Sequence, residues 1–326
     1  MREYRILSHA EAGDRERLIV ALSDLEGLTF SHYDGVVHST PSFLRWYLAR
    51  PGMLPQLCQA AFADGQLVSS VFVTLAQMRL GGDAVLCGLV DTVMTHPDHR
   101  RHGLATKLLE RVLGALENAG ADVSLLYTAR DEPVSPPERL YRGLGYEPRE
   151  VVTRYVRPPG PIPEGIPPAE QLDPSDRRPF ERALGATDGW LLLDEDLWRW
   201  RRLERPDEYP IALYATRSGA AAAICVGELI VSGAPRLLTV ISDLVLPRDE
   251  TARDEVYALL PAAPSNAPVT ILSPQSSRRG ELLREAGFAA AGVEVAMIRP
   301  VSCRGRAAAA RPPGEWYVAI ESVIGV

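Results

Sequence analysis

The apolar and polar positions between Leu89 and Glu117 divide into three segments of different character. Leu89 to Met94 is apolar and rich in β-branched side chains, which predicts a mostly buried strand. Thr95 to His102 is polar and cationic. From Gly103 onward, apolar residues fall on one helical face: Leu104, Ala105, Leu108, Leu109, Val112, Leu113 and Leu116. The pattern predicts a strand, a basic loop and a helix in succession.

The rest of the N-terminal half reads as alternating helices and strands. The pattern predicts strands at 3–7, 56–63, 66–79, 122–128 and 146–156, with helices at 10–25, 42–49 and 138–143. Asp64-Gly65 between two of these strands is a strong hairpin signal. Residues 157–168, RPPGPIPEGIPP, contain too much proline for a continuous helix or strand, which predicts an interdomain linker.

The segment after this linker repeats the first half with an offset near 150 residues. Leu197 to Pro206 echoes Leu44 to Pro51, and Ser242 to Leu246 echoes Val90 to Met94. We therefore predict domains at 1–156 and 169–326. The second copy lacks the basic loop, because 247–254 contains no glycine and several acidic residues, and Leu283 stands where the first copy has Tyr141.

The basic loop is suited to an anion. A strand-to-helix junction presents unpaired N–H groups and the positive end of a helix dipole, and Arg100, Arg101 and protonated His102 add charge. Gly103 allows close approach to the backbone. A pyrophosphate is the obvious ligand, although the loop matches neither the Walker A nor the G-x-G-x-x-G pattern. A metal site at the three regularly spaced histidines is disfavoured, since no cysteine or carboxylate cluster completes it and the arginines would repel a cation.

Two motifs resemble those of the GNAT acetyltransferase superfamily. Arg100, Gly103 and Ala105 fit its Arg/Gln-x-x-Gly-x-Gly/Ala signature, and Tyr141, Gly145 and Tyr146 fit its Tyr-x-x-x-Gly-Phe/Tyr element. The tandem arrangement resembles the enhanced intracellular survival type of acetyltransferase. The chain departs from that type because only about forty residues follow Gly287-Phe288, too few for a full third domain.

The resemblance implies an α+β fold of two tandem GNAT-like domains, each a mixed, mostly antiparallel sheet flanked by helices. It implies acetyl-CoA as co-substrate, with Tyr141 as the general acid that protonates the leaving thiolate. The implied cofactor-binding residues are Val93, Met94 and Thr95 on the strand and Arg100, Arg101, His102, Gly103, Leu104, Ala105 and Thr106 on the loop and helix. Tyr141 could equally be a packed helix residue, although its replacement by Leu283 in the copy without the loop favours the catalytic role.

The general base is left open by the sequence. Asp91 is the nearest carboxylate on the central strand, but Asp243 stands at the equivalent place in the second copy, which favours a shared structural task. In the enhanced intracellular survival type the C-terminal carboxylate serves as base, and whether Val326 does so here is undecided. Two readings also remain for the aromatic residues of the matching helices, an acceptor cleft or core anchors: Trp46, Tyr47, Trp198 and Trp200.

Composition narrows the class of protein. The 326-residue chain is 46% hydrophobic and 24% charged, which is ordinary for a globular protein. Its net charge of −7 argues against nucleic-acid binding and suits a cationic acceptor. Four cysteines without C-x-x-C spacing predict reduced thiols in the cytoplasm. No apolar run has the length of a membrane span, and the N-terminus is charged, so neither a membrane nor a signal peptide is predicted.

Two functions compete on these grounds. The first is a CoA-dependent N-acetyltransferase acting on the primary amine of a small molecule, without a metal, by direct transfer in a ternary complex. The second is a catalytically silent CoA-binding regulatory or scaffold protein with the same fold, which the lack of an obvious base favours. Acetylation of protein N-termini or lysines is disfavoured because nothing marks a peptide-docking surface. The sequence leaves open the acceptor, the acyl length and whether the chain forms a homo-oligomer.

Overall fold

The computed structural model describes residues 3–30, 36–37, 39–130, 134–185, 187–189, 194–231, 234–247, 252–262, 266–275 and 277–318. Its strands are β1 (Arg5–Ser8), β2 (Val36–Val37), β3 (Gln59–Ala63), β4 (Gln66–Leu80), β5 (Asp83–Thr95), β6 (Val123–Ala129), β7 (Glu147–Arg157), β8 (Glu170–Leu172), β9 (Ile211–Ala215), β10 (Ala221–Val231), β11 (Ala234–Val245), β12 (Val269–Pro274) and β13 (Ala289–Pro300). Its α-helices are α1 (Arg15–Phe30), α2 (Pro41–Tyr47), α3 (Leu104–Asn118), α4 (Pro136–Gly143), α5 (Arg178–Leu184), α6 (Glu195–Arg202), α7 (Ala252–Leu259), α8 (Arg278–Glu285) and α9 (Cys303–Ala309).

One mixed sheet runs through both halves of the chain. Its order is β1-β3-β4-β5-β6-β13-β7-β12-β11-β10-β9-β8, and β2 pairs with β10 outside this path. The described pairs are antiparallel except β5 with β6 and β11 with β12, which are parallel. The fold is therefore α+β, with a large, mostly antiparallel sheet flanked by helices.

The two halves exchange their last strands. β7, which closes the N-terminal half in sequence, pairs with β12, and β13 from the C-terminal half pairs with β6. β13 and β7 also pair with each other at the centre of the sheet. The sequence pattern gives no sign of this exchange because strand periodicity records which face of a strand is buried and not which neighbour it joins. The exchange brings Glu294 of β13 opposite Ala129 of β6.

Helix α3 covers one face of the N-terminal part of the sheet. Its buried side chains are the predicted ones except Ala105, which is only partly buried. Their core cluster also includes Tyr141, Tyr146 and side chains of β4 to β6. The approach is close, since a Cβ built on Gly88 would lie 2.4 Å from the side chain of Leu116. This packing fixes the start of α3, and with it the basic loop, against the end of β5.

The two halves meet at a pair of tryptophans. The rings of Trp46 on α2 and Trp200 on α6 stack with centroids 4.4 Å apart and planes 7° from parallel. Each indole N–H donates to the other residue's carbonyl, at 3.1 Å from Trp46 and 2.8 Å from Trp200. Trp46, Trp198 and Trp200 are buried in this shared core, so of the two readings for these tryptophans the core-anchor reading is the one that fits.

Several local predictions need correction. Helix α1 starts at Arg15, after a turn in which Asp14 accepts from the Arg17 N–H, and continues five residues beyond the predicted end at Leu25. The arginine-, alanine- and proline-rich composition of 303–314 predicts a crossing loop, whereas the structure has a helix there, α9. The alternating pattern of 315–326 predicts a closing strand, of which the described part shows only a bridge between Trp316 and Asp188. Residues 319–326, including Val326, lie outside the described residues, as do residues 248–251 of the second-copy loop.

Candidate active site

The basic loop ends in two residues with left-handed backbone. Arg101 has φ +64° and Gly103, the residue before α3, has φ +73°. The first hydrogen bond of α3 runs from the Lys107 N–H to the Gly103 carbonyl. The amides of Leu104, Ala105 and Thr106 consequently have no partner within the helix, as at any helix N-terminus. A Cβ built on Gly103 meets no atom within 4 Å, so the backbone here borders open space.

Strands β5 and β6 separate next to this loop. They pair in parallel only from Cys87 and Val123 to Leu89 and Leu125, although β5 continues to Thr95 and β6 to Ala129. A bulge accompanies the separation, because the pairing of β4 with β5 shifts between Ser70 and Phe72 and Thr92 adopts φ +48°. Beyond Leu89 one edge of β5 is paired with β4 and the other faces a wedge between the strands. Such an edge can hydrogen-bond an extended ligand as an added strand would.

A cavity of about 780 Å³ occupies the wedge. The loop and the start of α3 form one end of it, and α4, with Tyr141, lines its wall next to β6. Side chains of α1 and α2, including Glu26 and Tyr47, line the opposite part. The basic loop and Tyr141 therefore border one continuous space.

The cavity brings together most of the residues predicted from the sequence. Those lining it are Asp91, Val93, Thr95, Arg100, Arg101, Gly103, Leu104, Ala105, Thr106 and Tyr141. Met94 and His102 are not among the lining residues. The Met94 side chain is buried in the core and its carbonyl accepts from Ser69 Oγ at 2.7 Å, whereas the His102 side chain is exposed.

Tyr141 is 7% exposed and projects from a helix whose start is fixed by a cap. Ser135 caps α4 by accepting from the Glu138 N–H at 3.2 Å, and two prolines occupy the first helical positions. The Tyr141 ring lies edge-on to Tyr146, whose hydroxyl is 2.7 Å from Ser124 Oγ on β6. The two tyrosines of the second motif thus have different roles: Tyr146 anchors α4 to the sheet and Tyr141 borders the cavity.

Asp91 is engaged by its neighbours. Its Oδ2 accepts from Arg50 at 2.8 Å in an ion pair that is almost completely buried, and its Oδ1 accepts from Thr92 Oγ1 at 3.0 Å. The hydroxyl of Tyr47 also hydrogen-bonds to this carboxylate. Asp243 in the second copy is bound in the same way by Arg202, by Arg201 at 3.0 Å and by the Tyr317 hydroxyl at 2.7 Å. Arg50 and Arg202 each precede their aspartate by 41 residues, so both copies keep the same buried pair.

Sequence reasoning missed two further carboxylates in the cavity, Glu26 and Glu294. Burial raises the pKa of Glu26 to about 7 although Ser39 donates to it, and burial raises the pKa of Glu294 to about 7 although Arg154 opposes the shift. Glu26 was missed because the predicted helix ended one residue before it. Glu294 was missed because only the strand exchange brings β13 to this site.

Comparison with known families agrees with this architecture. Residues 24–149 match the family model described as an acetyltransferase (GNAT) domain. Residues 24–149 are thus similar to a GNAT acetyltransferase domain, and the matched segment includes the basic loop, the wedge and Tyr141. No curated protein matched the chain.

Solved structures of similar fold cover both halves of the chain. It is similar to a GCN5-related N-acetyltransferase from Anabaena variabilis, with TM-score 0.64 and 17% identity over 92% of this chain and 73% of that one. It is similar to Eis1 from Mycobacterium abscessus, with TM-score 0.54 and 18% identity over 92% and 74%. It is also similar to N-myristoyltransferase from Saccharomyces cerevisiae with bound myristoyl-CoA, with TM-score 0.69 and 12% identity over 92% and 79%. At these identities the likeness establishes the fold alone.

The described residues hold neither a cluster of metal-ligating side chains nor a membrane-spanning helix. No group of three or more histidine, cysteine, aspartate or glutamate side chains with the arrangement of a metal site occurs among them. Within the same ranges, every helix is too short or too polar to cross a bilayer.

Proposed function

We propose that the protein transfers the acetyl group of acetyl-CoA to the primary amine of a small molecule by direct transfer in a ternary complex. The observation that carries the proposal is the single cavity that joins the anion-binding loop to Tyr141 along an unpaired strand edge. An acyl-CoA is an extended molecule with an anionic pyrophosphate at one end and a thioester at the other. This order matches that of the basic loop, the strand edge and Tyr141 along the cavity.

The residues present fit such a co-substrate. The amides of Leu104, Ala105 and Thr106, with the nearby charges of Arg100 and Arg101, would hold the pyrophosphate. The free edge of β5 at Val93 and Thr95 would hold the pantetheine amides. Gly103 leaves the backbone accessible, because the space that a side chain would fill is open.

The transfer itself needs an attacking amine and a proton for the leaving group. The amine nitrogen forms a bond to the thioester carbonyl carbon, the C–S bond breaks, and the CoA thiolate takes the phenolic proton of Tyr141. No described residue that lines the cavity is a cysteine. Cys58, Cys87 and Cys225 are buried elsewhere and Cys303 lies exposed on α9, which supports direct transfer over an acyl-cysteine intermediate.

The test is a binding measurement followed by a turnover screen. Acetyl-CoA should raise the melting temperature of the protein, since a ligand bound only by the folded state stabilises it. CoA thiol should then be released when diverse small amines are added, and a parallel series with myristoyl-CoA measures acyl preference. Stabilisation without thiol release from any amine would leave a CoA-binding protein without catalysis, and the absence of both effects would refute the proposal.

A further inference from the structure

Three carboxylates line the described part of the cavity, and they differ in what faces them. Asp91 is bound by Arg50, and Glu294 faces the positive charge of Arg154. The charged group that acts on Glu26 is Asp91, another carboxylate. Glu26 is therefore the lining acid without a facing cation in the part of the chain that the structure describes.

Glu26 also has an unused oxygen. Its Oε1 accepts from Ser39 Oγ at 2.6 Å, which fixes the side chain, whereas Oε2 has no hydrogen-bond partner among the described residues. The residue is only 9% exposed. Because a buried acceptor without a partner is costly, such a group in a native protein calls for an explanation, and a ligand that donates to it is one.

The neighbourhood of Glu26 is aromatic. Phe43, Tyr47 and Phe72 are buried and line the cavity, Tyr47 interacts electrostatically with Glu26, and the rings of Phe43 and Phe72 lie 5.6 and 6.1 Å from that of Tyr47. Aromatic faces bind apolar groups and also attract cations. An ammonium group on an aromatic or apolar body would complement both the carboxylate and these rings.

We infer that Glu26 binds the ammonium group of the acceptor and takes its first proton, and that the acceptor is a primary amine on an aromatic or apolar body. The inference rests on the proposed function and assigns the base that the sequence left open. Glu26 is a better candidate for the base than Asp91 because both carboxylate oxygens of Asp91 already accept hydrogen bonds.

The proton balance is complete with the groups present. The ammonium gives one proton to the Glu26 carboxylate, and the neutral amine attacks the thioester. Tyr141 protonates the departing thiolate, and its phenolate then takes the second N–H proton of the adduct. The products are the amide, CoA thiol and one proton that Glu26 returns to solvent, so no further reactant is required.

The pH dependence follows from the surroundings of Glu26. The groups that act on it are Asp91 on β5, Tyr47 on α2 and Ser39 before α2, whereas Arg50 is paired with Asp91. With its pKa raised to about 7 by burial, Glu26 becomes a base only as the pH rises through neutrality. The kcat/KM of an alkylamine should accordingly rise across this range.

The test compares Glu26→Gln with two other variants, using 2-phenylethylamine and 4-methoxyaniline as acceptors. Glu26→Gln keeps the shape and the bond to Ser39, so acetyl-CoA stabilisation should be unchanged. Its kcat/KM for 2-phenylethylamine should fall at least about 100-fold, within the range of a general base, and its rise near pH 7 should vanish. The loss should be much smaller for 4-methoxyaniline, which is already neutral at pH 7. Glu16→Gln, an exposed change on the same helix, should match the wild type.

Two measurements independent of turnover complete the design. The CoA-saturated wild type should bind 2-phenylethylamine more tightly than Glu26→Gln does, and absence of binding to the wild type overturns the inference. Glu26→Gln should also raise the melting temperature more at pH 8 than at pH 5, because ionisation of a buried acid with a raised pKa destabilises the fold as the pH rises.

The inference is also overturned if Glu294→Gln, and not Glu26→Gln, abolishes the rise of kcat/KM near pH 7. It is equally overturned if Glu26→Gln keeps both the turnover and the pH profile of the wild type. These outcomes differ from failure of the proposed function, in which the wild type neither binds acetyl-CoA nor releases thiol.

Discussion

The two halves of the molecule share a scaffold and differ at the wedge between their parallel strands. In each half the parallel pairing extends over three residues, from Cys87 to Leu89 in one and from Thr239 to Ile241 in the other. Each half also carries a buried arginine–aspartate pair with the same spacing of 41 residues.

The two halves differ in what fills the wedge between their parallel strands. In the N-terminal half the wedge contains the cavity. In the C-terminal half the Arg279 side chain crosses the corresponding place, donating to Ser273 Oγ on β12 at 3.1 Å and to the Leu244 carbonyl on β11 at 3.4 Å. Its guanidinium also lies 5.0 Å from the ring of Tyr317. The comparison shows that strand separation belongs to the scaffold, whereas the side chains that occupy the wedge differ between the halves.

The largest expected effect comes from closing the N-terminal opening. Gly103→Val should weaken acetyl-CoA binding by at least about 100-fold, equivalent to about 2.8 kcal/mol, because the side chain fills the space beside the amides that we propose hold the pyrophosphate. Gly120→Val is a matched control at the other end of α3, since Gly120 has φ +74° against +73° for Gly103 and is equally open. Both changes carry the same backbone strain of about 1–2 kcal/mol. Equal loss of binding in the two variants, measured by calorimetry, would contradict the assignment of the loop.

The next effect concerns the residue that the second copy replaces with leucine. Tyr141→Phe should bind acetyl-CoA normally while kcat falls by about 100- to 10,000-fold, because the phenolic proton is lost. Tyr146→Phe is the control, and it should lose about 1 kcal/mol of stability through its bond to Ser124 and keep its kcat. Unchanged thiol release by Tyr141→Phe would remove Tyr141 from the mechanism.

The shared ion pairs should show structural effects in both halves. Asp91→Asn and Asp243→Asn should each lower the free energy of unfolding by about 3–5 kcal/mol in urea titrations, because each leaves a buried arginine without its counter-charge. Although burial acts to raise the pKa of Asp243, Arg201 and Arg202 hold it at about 2, so its stabilisation should persist above pH 4 and disappear as the pH falls towards 2. An Asp91→Asn protein of normal stability but without turnover would instead mark Asp91 as the base.

The sequence was sufficient where local chemistry decides the structure. The apolar stripe of α3, the Asp64-Gly65 turn and the position of Gly103 follow from periodicity and backbone preference, and each is found. It was insufficient where distant segments meet. The strand exchange, the stack of Trp46 on Trp200 and the arrival of Glu294 at the cavity depend on contacts between residues more than 110 positions apart, which no local pattern records.

The counterpart of Arg50 in the second copy is not the residue that the sequence repeat indicates. The sequence echo pairs Arg205 with Arg50, whereas the buried ion pair makes Arg202 the counterpart of Arg50. Arg205 shares only the stacking role, since its guanidinium lies 4.8 Å from the Trp46 ring and that of Arg50 lies 5.6 Å from Trp200. Two arginines in the second copy thus divide what one residue does in the first.

The number of acetyl-CoA molecules bound per chain tests the central claim most directly. Isothermal titration calorimetry of the full chain should give a stoichiometry of one, with binding lost in Gly103→Val and retained in Arg279→Ala. Two molecules per chain would mean that the C-terminal half also binds acetyl-CoA. One molecule whose binding survives Gly103→Val but not Arg279→Ala would place the site in the C-terminal half, and either result would contradict the account.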